Sequence, residues 1–259
     1  MRDGKARWLI TAAVEQEIRG IRLAVQGRPD RSDRNGRVCS GEWRGEPLLL
    51  VRTGVGPRNT RDVLAPILSD SRLRGIVSTG YAGALRGEYR LGDILIPAEL
   101  RTAPPLPEVR LQPDATLREC LLEAARSGPW RVHTDPMVTV DRVIFSSHEK
   151  RRLGLSRKAG SVEMESAIIA ELAASQSVPF AVVRIVLDEA SFSLPDLGKV
   201  FRWWRKRQFA RLIPYLAVRP HELVALLRLL RRTRRASRGL ADLFRGYLLD
   251  SFSGEPREG

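Results

Sequence analysis

Carboxylates at the ends of apolar segments are the side chains of this 259-residue chain best placed to do chemistry. Glu15 and Glu17 follow WLITAA (residues 8–13), Glu163 and Glu165 flank Met164 in SVEMES, and Asp188 comes directly after AVVRIVL (181–187). A carboxyl at the end of a buried strand points into the crevice outside the carboxyl edge of a sheet. Several such ends in one α/β unit converge on a single mouth. Carboxylates gathered there divide into a proton donor and a proton acceptor when their surroundings push their pKa values apart. Each also has a purely structural reading. Glu15 or Glu17 suits the first turn of a helix, where the macrodipole favours an acid, and Asp188 suits an N-cap.

Two glycine-rich segments, TGVGPRNT (53–60) and STGYAGAL (78–85), follow apolar runs and read as turns where a backbone can approach a ligand. Neither contains the GK[ST] of a phosphate-binding loop, and neither matches GxGxxG. His133, His148 and His221 are far apart and lack ligand spacing, so no metal site is expected. Cys39 and Cys120 stand alone, which argues against a disulfide framework and for a reducing compartment.

The elements that must position these acids alternate. Short apolar strands are expected at 8–13, 48–52, 75–79, 93–97, 137–140 and 181–187, with helices between them, including VEQEIRGIRLAV, TRDVLAPILSD and SAIIAELAASQ. Such alternation predicts an α/β fold with three layers, αβα, and helices flanking a central mixed sheet. Residues 103–113, with their prolines, read as a surface loop.

The net charge of +14 is unevenly placed. Residues 199–259 carry 15 basic against 5 acidic residues, whereas residues 1–198 carry 29 against 25. The chain therefore divides into a domain over 1–198 and a basic, amphipathic helical extension over 199–259. In the extension Leu223, Leu226, Leu227, Leu230, Leu240, Phe244 and Leu248 fall roughly on one face. Arg228, Arg231, Arg232, Arg235 and Arg238 crowd the others. Such a tail suits an anionic membrane surface, nucleic acid, or packing on the domain or a second subunit. It lacks a recognition motif for nucleic acid, which is not favoured. The chain shows neither an apolar run of membrane-spanning length nor a signal peptide, so a cytoplasmic protein is expected.

AVEQEI, TGVGPRNT, STGYAGAL, LGDILIP, SVEMESAIIA and VVRIVLDEA occur in the order and at about the spacing of the nucleoside phosphorylase and nucleosidase superfamily. Over residues 8–190 the chain most resembles its methylthioadenosine/S-adenosylhomocysteine nucleosidase branch. The resemblance implies a phosphorylase/hydrolase-like fold and cleavage of the N-glycosidic bond of a purine nucleoside derivative. By the same resemblance Asp188 is the general acid that protonates the leaving base, and Glu17 positions the attacking water. Glu165 binds the ribose hydroxyls, Met164 packs under the sugar, and Glu163 belongs to the same ribose-binding segment. Phe145 stacks on the base, main-chain groups near Ile144 read its edge, and Ala82 and Gly83 line its pocket. Tyr81 and Thr79 lie at the nucleophile site. No cofactor is implied, only inorganic phosphate as co-substrate if the enzyme is a phosphorylase.

The chain departs from the pattern in two places. Leu187 stands where the nucleosidases carry a small hydroxyl residue that helps hold the acid, leaving a backbone group or Ser191 as its partner. Tyr81 replaces a small residue. The arginine that cradles phosphate in phosphorylases is missing before VSTGYAG, with Arg19, Arg22 and Arg58 as alternatives, so water is the expected nucleophile. The Arg-rich tail resembles that of hopanoid-associated phosphorylases, which implies a lipid-linked adenosine as substrate. It also implies peripheral contact of residues 199–249 with the inner face of the membrane. Relatives imply a homo-oligomer, a dimer or larger.

Overall fold

The computed structural model describes residues 6–30, 36–70, 72–193 and 220–250. Among the described residues twelve strands form one mixed sheet: β1 (Arg7–Ala12), β2 (Arg28–Pro29), β3 (Val38–Trp43), β4 (Glu46–Arg52), β5 (Leu73–Ala84), β6 (Ile94–Leu95), β7 (Leu100–Thr102), β8 (Arg110–Leu111), β9 (Val132–His133), β10 (Met137–Thr139), β11 (Ser161–Glu163) and β12 (Phe180–Asp188). The helices are α1 (Glu15–Ala24), α2 (Pro57–Asp70), α3 (Ala115–Arg126), α4 (Ser147–Arg157), α5 (Ser166–Ser175) and α6 (Pro220–Leu243), which runs into a π-helical turn at Phe244–Leu248.

Period-two alternation assigns the helices to two faces. Ile10, Leu48, Leu50, Val77, Val183 and Ile185 pack with α1, α3 and α6 on one side. Leu9, Leu49, Val51, Ile76, Val182 and Val186 pack with α2 and α5 on the other. The expected three-layer αβα arrangement is therefore present. Its central strands are apolar on both faces, as parallel strands covered on two sides must be.

Strand β5 organises the site. One edge pairs along most of its length with β12, from Ile76 to Gly83. The other edge is shared: β1 pairs with Leu73–Ser78 and β11 pairs antiparallel with Gly83 and Ala84. The edge between them, around Gly80 and Tyr81, belongs to neither neighbour, and there the sheet forks. This corrects the sequence expectation of a turn at STGYAGAL. Those residues continue the strand, because β12 supplies partners through Gly83 and Gly80 takes a φ of +142° that glycine tolerates. TGVGPRNT does form a turn, with Gly54 and Gly56 at positive φ and Pro57 opening α2.

The C-terminal helix shares the domain's core. Ala236, Leu240, Leu243, Phe244 and Leu248 are fully buried in the cluster that contains α1 and β12. Leu223, Leu227 and Leu230, placed on the same face by sequence, are exposed instead. The expected boundary at 198, and the segment with Trp203, Trp204 and Phe209, lie outside the described residues. Helices α1 and α6 approach closely at Gly20, where a Cβ would lie 2.2 Å from Ala241 Cβ. Gly20→Ala should therefore cost about 1–3 kcal/mol by overpacking. Urea unfolding measures it, and an unchanged midpoint would show that this contact does not hold the helix.

Candidate active site

The fork of the sheet opens into a cavity of about 270 Å³. Its walls are largely aliphatic, with Val14, Val55, Val143, Ile144, Met164 and Leu187 among them. Its polar groups are Glu17, Tyr81, Lys150, Glu163, Glu165 and Asp188, with Arg142, which is exposed and paired with Glu149, at its rim. Strand ends from different parts of the chain thus bring the predicted acids to one place.

Glu17, third residue of α1, folds back on its own N-terminus, as the second half of a capping box does. Its Oε2 accepts from the N–H groups of Ala13 and Val14 at 2.8 and 2.9 Å. Its Oε1 accepts from the N–H of Tyr81 at 2.8 Å, across the unpaired stretch of β5. Burial pushes this carboxyl up, while Arg184 and the backbone donors pull against it. Glu15 stays outside, paired with Arg22 and Arg52.

Arg184 is a residue that sequence reasoning passed over. It sits within β12, is 1% exposed, and reaches through the fork. Its Nη2 donates to Glu163 Oε2 at 2.8 Å and to the hydroxyls of Ser78 and Ser166 at 3.0 and 2.9 Å. Its Nη1 donates to the Thr79 carbonyl at 2.5 Å, and Glu165 Oε2 lies 3.8 Å from Nη2. The guanidinium and Glu17 meet over Gly80, where a Cβ would lie 2.4 Å from Arg184 Nη1 and 2.6 Å from Glu17 Oε1. Any side chain at 80 would separate them.

Glu163 is consumed by structure. Besides Arg184 it accepts from Thr139 Oγ1 at 2.5 Å and from Ser166 N and Oγ, which caps α5. Glu165 is freer. One oxygen accepts from Gly56 N at 2.8 Å, and burial with neighbouring Glu163 pushes its carboxyl up to about 8.

Asp188 ends β12 after a register shift between Val186 and Asp188. The irregularity brings both Leu187 and Asp188 to the cavity, where alternation would have sent one away. Gly83 admits the carboxyl, with Asp188 Oδ2 3.1 Å from where a Cβ would stand. The partner of Asp188 is neither Ser191 nor a backbone group. It is Lys150 of α4, fully buried, whose ammonium donates to Oδ2. Burial pushes the acid's carboxyl up, and Lys150 and Arg232 oppose that.

The other predicted residues divide. Tyr81, Ala82, Gly83, Ile144 and Met164 line the cavity. The Tyr81 hydroxyl turns to α6 and meets Ser237 Oγ at 2.6 Å. Thr79 is buried outside the cavity wall. Phe145 is 40% exposed and also outside it, because the chain between β10 and α4 presents Val143 and Ile144 to the cavity instead. The alternative phosphate ligands are absent from the cavity wall: Arg22 is paired with Glu15, Arg58 is 95% exposed beside Asp62, and Arg19 is exposed. Among the described residues no cluster could hold a metal ion.

An αβα domain with acids gathered at a fork in its sheet defines a class, and comparison identifies it. The phosphorylase superfamily matches residues 7–217, and the chain belongs to that family. It is 25% identical over 198 residues to the 5'-methylthioadenosine/S-adenosylhomocysteine nucleosidase of Bacillus licheniformis, covering 70% of this chain and 85% of that protein. Its fold is similar to that of the corresponding nucleosidase from Neisseria meningitidis in complex with methylthio-immucillin-A. That TM-score is 0.67 at 22% identity, over 93% of this chain and 100% of the other. It is also similar to a futalosine hydrolase mutant of Helicobacter pylori, with a TM-score of 0.73 at 15% identity, over 97% and 100% of the two chains.

Glu165 makes stability depend on pH. Its folded pKa of about 8 lies above the ordinary glutamate value of 4.5, so its contribution is complete below 4.5 and lost as pH rises through 8. The melting temperature of the ligand-free protein should fall between pH 5 and 8, and Glu165→Gln should flatten that fall. Scanning calorimetry across this range tests it; identical slopes would remove Glu165 as the cause.

Proposed function

We propose that this protein is a nucleosidase that hydrolyses the N-glycosidic bond of a purine nucleoside derivative and releases adenine. The observation that carries this reading is the placement of two separately held acids along one strand of one apolar cavity. Glu17 abuts Gly80 and Asp188 abuts Gly83. Three residues of strand span about 10 Å, room for a leaving base at one end and a water at the other. The nucleosidase names of the relatives point the same way.

In the proposed reaction the protonated Asp188 gives its proton to the imidazole-ring nitrogen of the base. The bond from sugar carbon to base nitrogen breaks, and its electron pair leaves with the base, which departs neutral. The positive charge that builds on the ribose faces a carboxylate-rich floor. Glu165, with one oxygen not engaged by Gly56, accepts from the ribose hydroxyls. Water adds to the sugar carbon and yields its proton to Glu17 Oε1, which holds a single backbone donor.

Charge favours water over phosphate. At the Glu17 end three buried carboxylates, Glu17, Glu163 and Glu165, surround the guanidinium of Arg184. The Nη donors of that guanidinium are committed to Glu163, Ser78, Ser166 and the Thr79 carbonyl, so it is not offered to a phosphate dianion, whereas water needs no cation. Asp188→Asn and Glu17→Gln should each lower kcat by about 10²–10⁴-fold, the range for a lost general acid or base. Adenine release from a nucleoside panel, with and without phosphate, measures both. A strict requirement for phosphate would replace this reading with a phosphorylase.

A lipid-linked adenosine is the narrower substrate proposal, favoured by the first half of α6. Leu223, Val224, Leu227 and Leu230 are exposed there, beside exposed Arg228, Arg231, Arg234 and Arg235. Such a face suits the headgroup boundary of a bilayer, where each Arg near anionic lipid contributes about 1 kcal/mol. Full-length protein should float with anionic liposomes, and Leu223→Asp with Leu227→Asp should abolish flotation. Protein that stays off vesicles and elutes as a dimer assigns the face to a second copy of the chain.

A further inference from the structure

The geometry points to Lys150 as a positioning residue for the acid: it fixes the Asp188 carboxyl through Oδ2 and holds the negative charge that Asp188 acquires when it protonates the leaving base. This rests on the reading of Asp188 as that acid. Lys150 is fully buried, an uncommon place for an ammonium, and each of its three protons has an acceptor. These are Asp188 Oδ2, the Phe192 carbonyl at 2.7 Å and the Glu189 carbonyl at 3.2 Å. One side chain thus holds both the acid and the backbone of the loop that follows it. With Oδ2 committed to Lys150, Oδ1 is the oxygen left to donate to a base.

A lysine is needed here because the strand offers no substitute. Leu187, the preceding residue, carries no polar group, and it lines the cavity as an apolar wall. The partner has therefore come from another element, α4, across the cavity's end. The charged groups near Asp188 are Lys150 from α4, Arg232 from α6, and Glu189 beside it in the chain. Arg232 is itself engaged by Glu189 Oε2 at 2.5 Å and stacks over the Phe192 ring at 4.1 Å, so Lys150 is the cation committed to the acid. Proton donation turns a neutral buried carboxyl into a carboxylate. An adjacent ammonium stabilises that charge as it forms, which makes Asp188 a stronger acid at the moment of bond cleavage.

Lys150→Met preserves length and apolar contact while removing the charge. It should lower kcat at least tenfold with KM changed less than threefold, because Lys150 acts through Asp188. Without the ammonium, Asp188 stays protonated to higher pH, so the alkaline limb of the kcat profile should move up by at least one unit. Lys150→Arg should return the limb toward the wild-type position. Circular dichroism checks the fold of each variant. Should Lys150→Met not fold, the same quantities are read on Lys150→Gln, and on wild-type protein by the Nζ signal of Lys150 in ¹⁵N NMR. That signal should shift in Asp188→Asn. An unmoved pH profile in a folded Lys150 variant, or an unmoved Nζ signal, overturns the proposal. Full turnover by Asp188→Asn instead overturns the acid reading beneath it.

Discussion

The site depends on one buried guanidinium. Arg184 lies on a central strand where neighbouring positions are aliphatic, and its charge cannot be solvated there. Burying a charge is tolerable only when partners of good geometry surround it. Glu163 and two serine hydroxyls provide them, and the carbonyl of Thr79 completes the set. These partners come from β5, β11 and the start of α5, which the fork in the sheet brings within reach of one side chain. The fork of β5 serves the same constraint. Its free edge admits the guanidinium from one side and the carboxylate of Glu17 from the other, with only Gly80 between them. The antiparallel entry of β11 after a run of parallel strands returns Glu163 to the fork.

A second pole repeats this logic with different residues. Asp188 and Lys150 are both buried, and each would be costly alone. The two poles differ in charge balance. At Arg184 three carboxyl groups share one cation, and burial together with the neighbouring Glu163 pushes Glu165 up to about 8. At Asp188 one carboxyl faces one ammonium, and burial against attraction decides its protonation. A cavity with an electron-rich floor at one end and a paired acid at the other is asymmetric in the sense that heterolytic cleavage of a nucleoside needs.

Much of this was legible in the sequence, and what was not has a physical cause. Glu17, Glu165 and Asp188 could be found because strand ends are marked by apolar runs, and the cavity does collect them. Arg184 left a signal that could have been read, a lone charge inside AVVRIVL. Lys150 left none. It belongs to SHEKRRLGLSR, a helix with no apolar stripe, and nothing in its period separates the buried lysine from its solvated neighbours. Phe145, which the resemblance sets against the base, lies outside the cavity wall; the segment before α4 is irregular, and no period says which of Val143, Ile144 and Phe145 turns inward. STGYAGAL read as a turn because its glycines look like punctuation; their use is to let side chains from other elements approach β5.

The C-terminal helix shows why charge counting separated what packing unites. Its arginines made residues 199–259 look like an appendage. Yet α6 touches the site at two points: Ser237 meets the Tyr81 hydroxyl, and Arg232 ties the Glu189 carboxylate and covers Phe192. Tyr81 supplies the backbone donor to Glu17, and Glu189 and Phe192 supply the carbonyls that hold Lys150. The helix thus braces both poles from behind, through side chains that never enter the cavity wall. A helix that only solvated its arginines would have no reason to bury Leu240, Leu243 and Phe244 against α1 and β12. Its buried second half belongs to the catalytic domain, and the question of an outside partner is confined to the exposed first half.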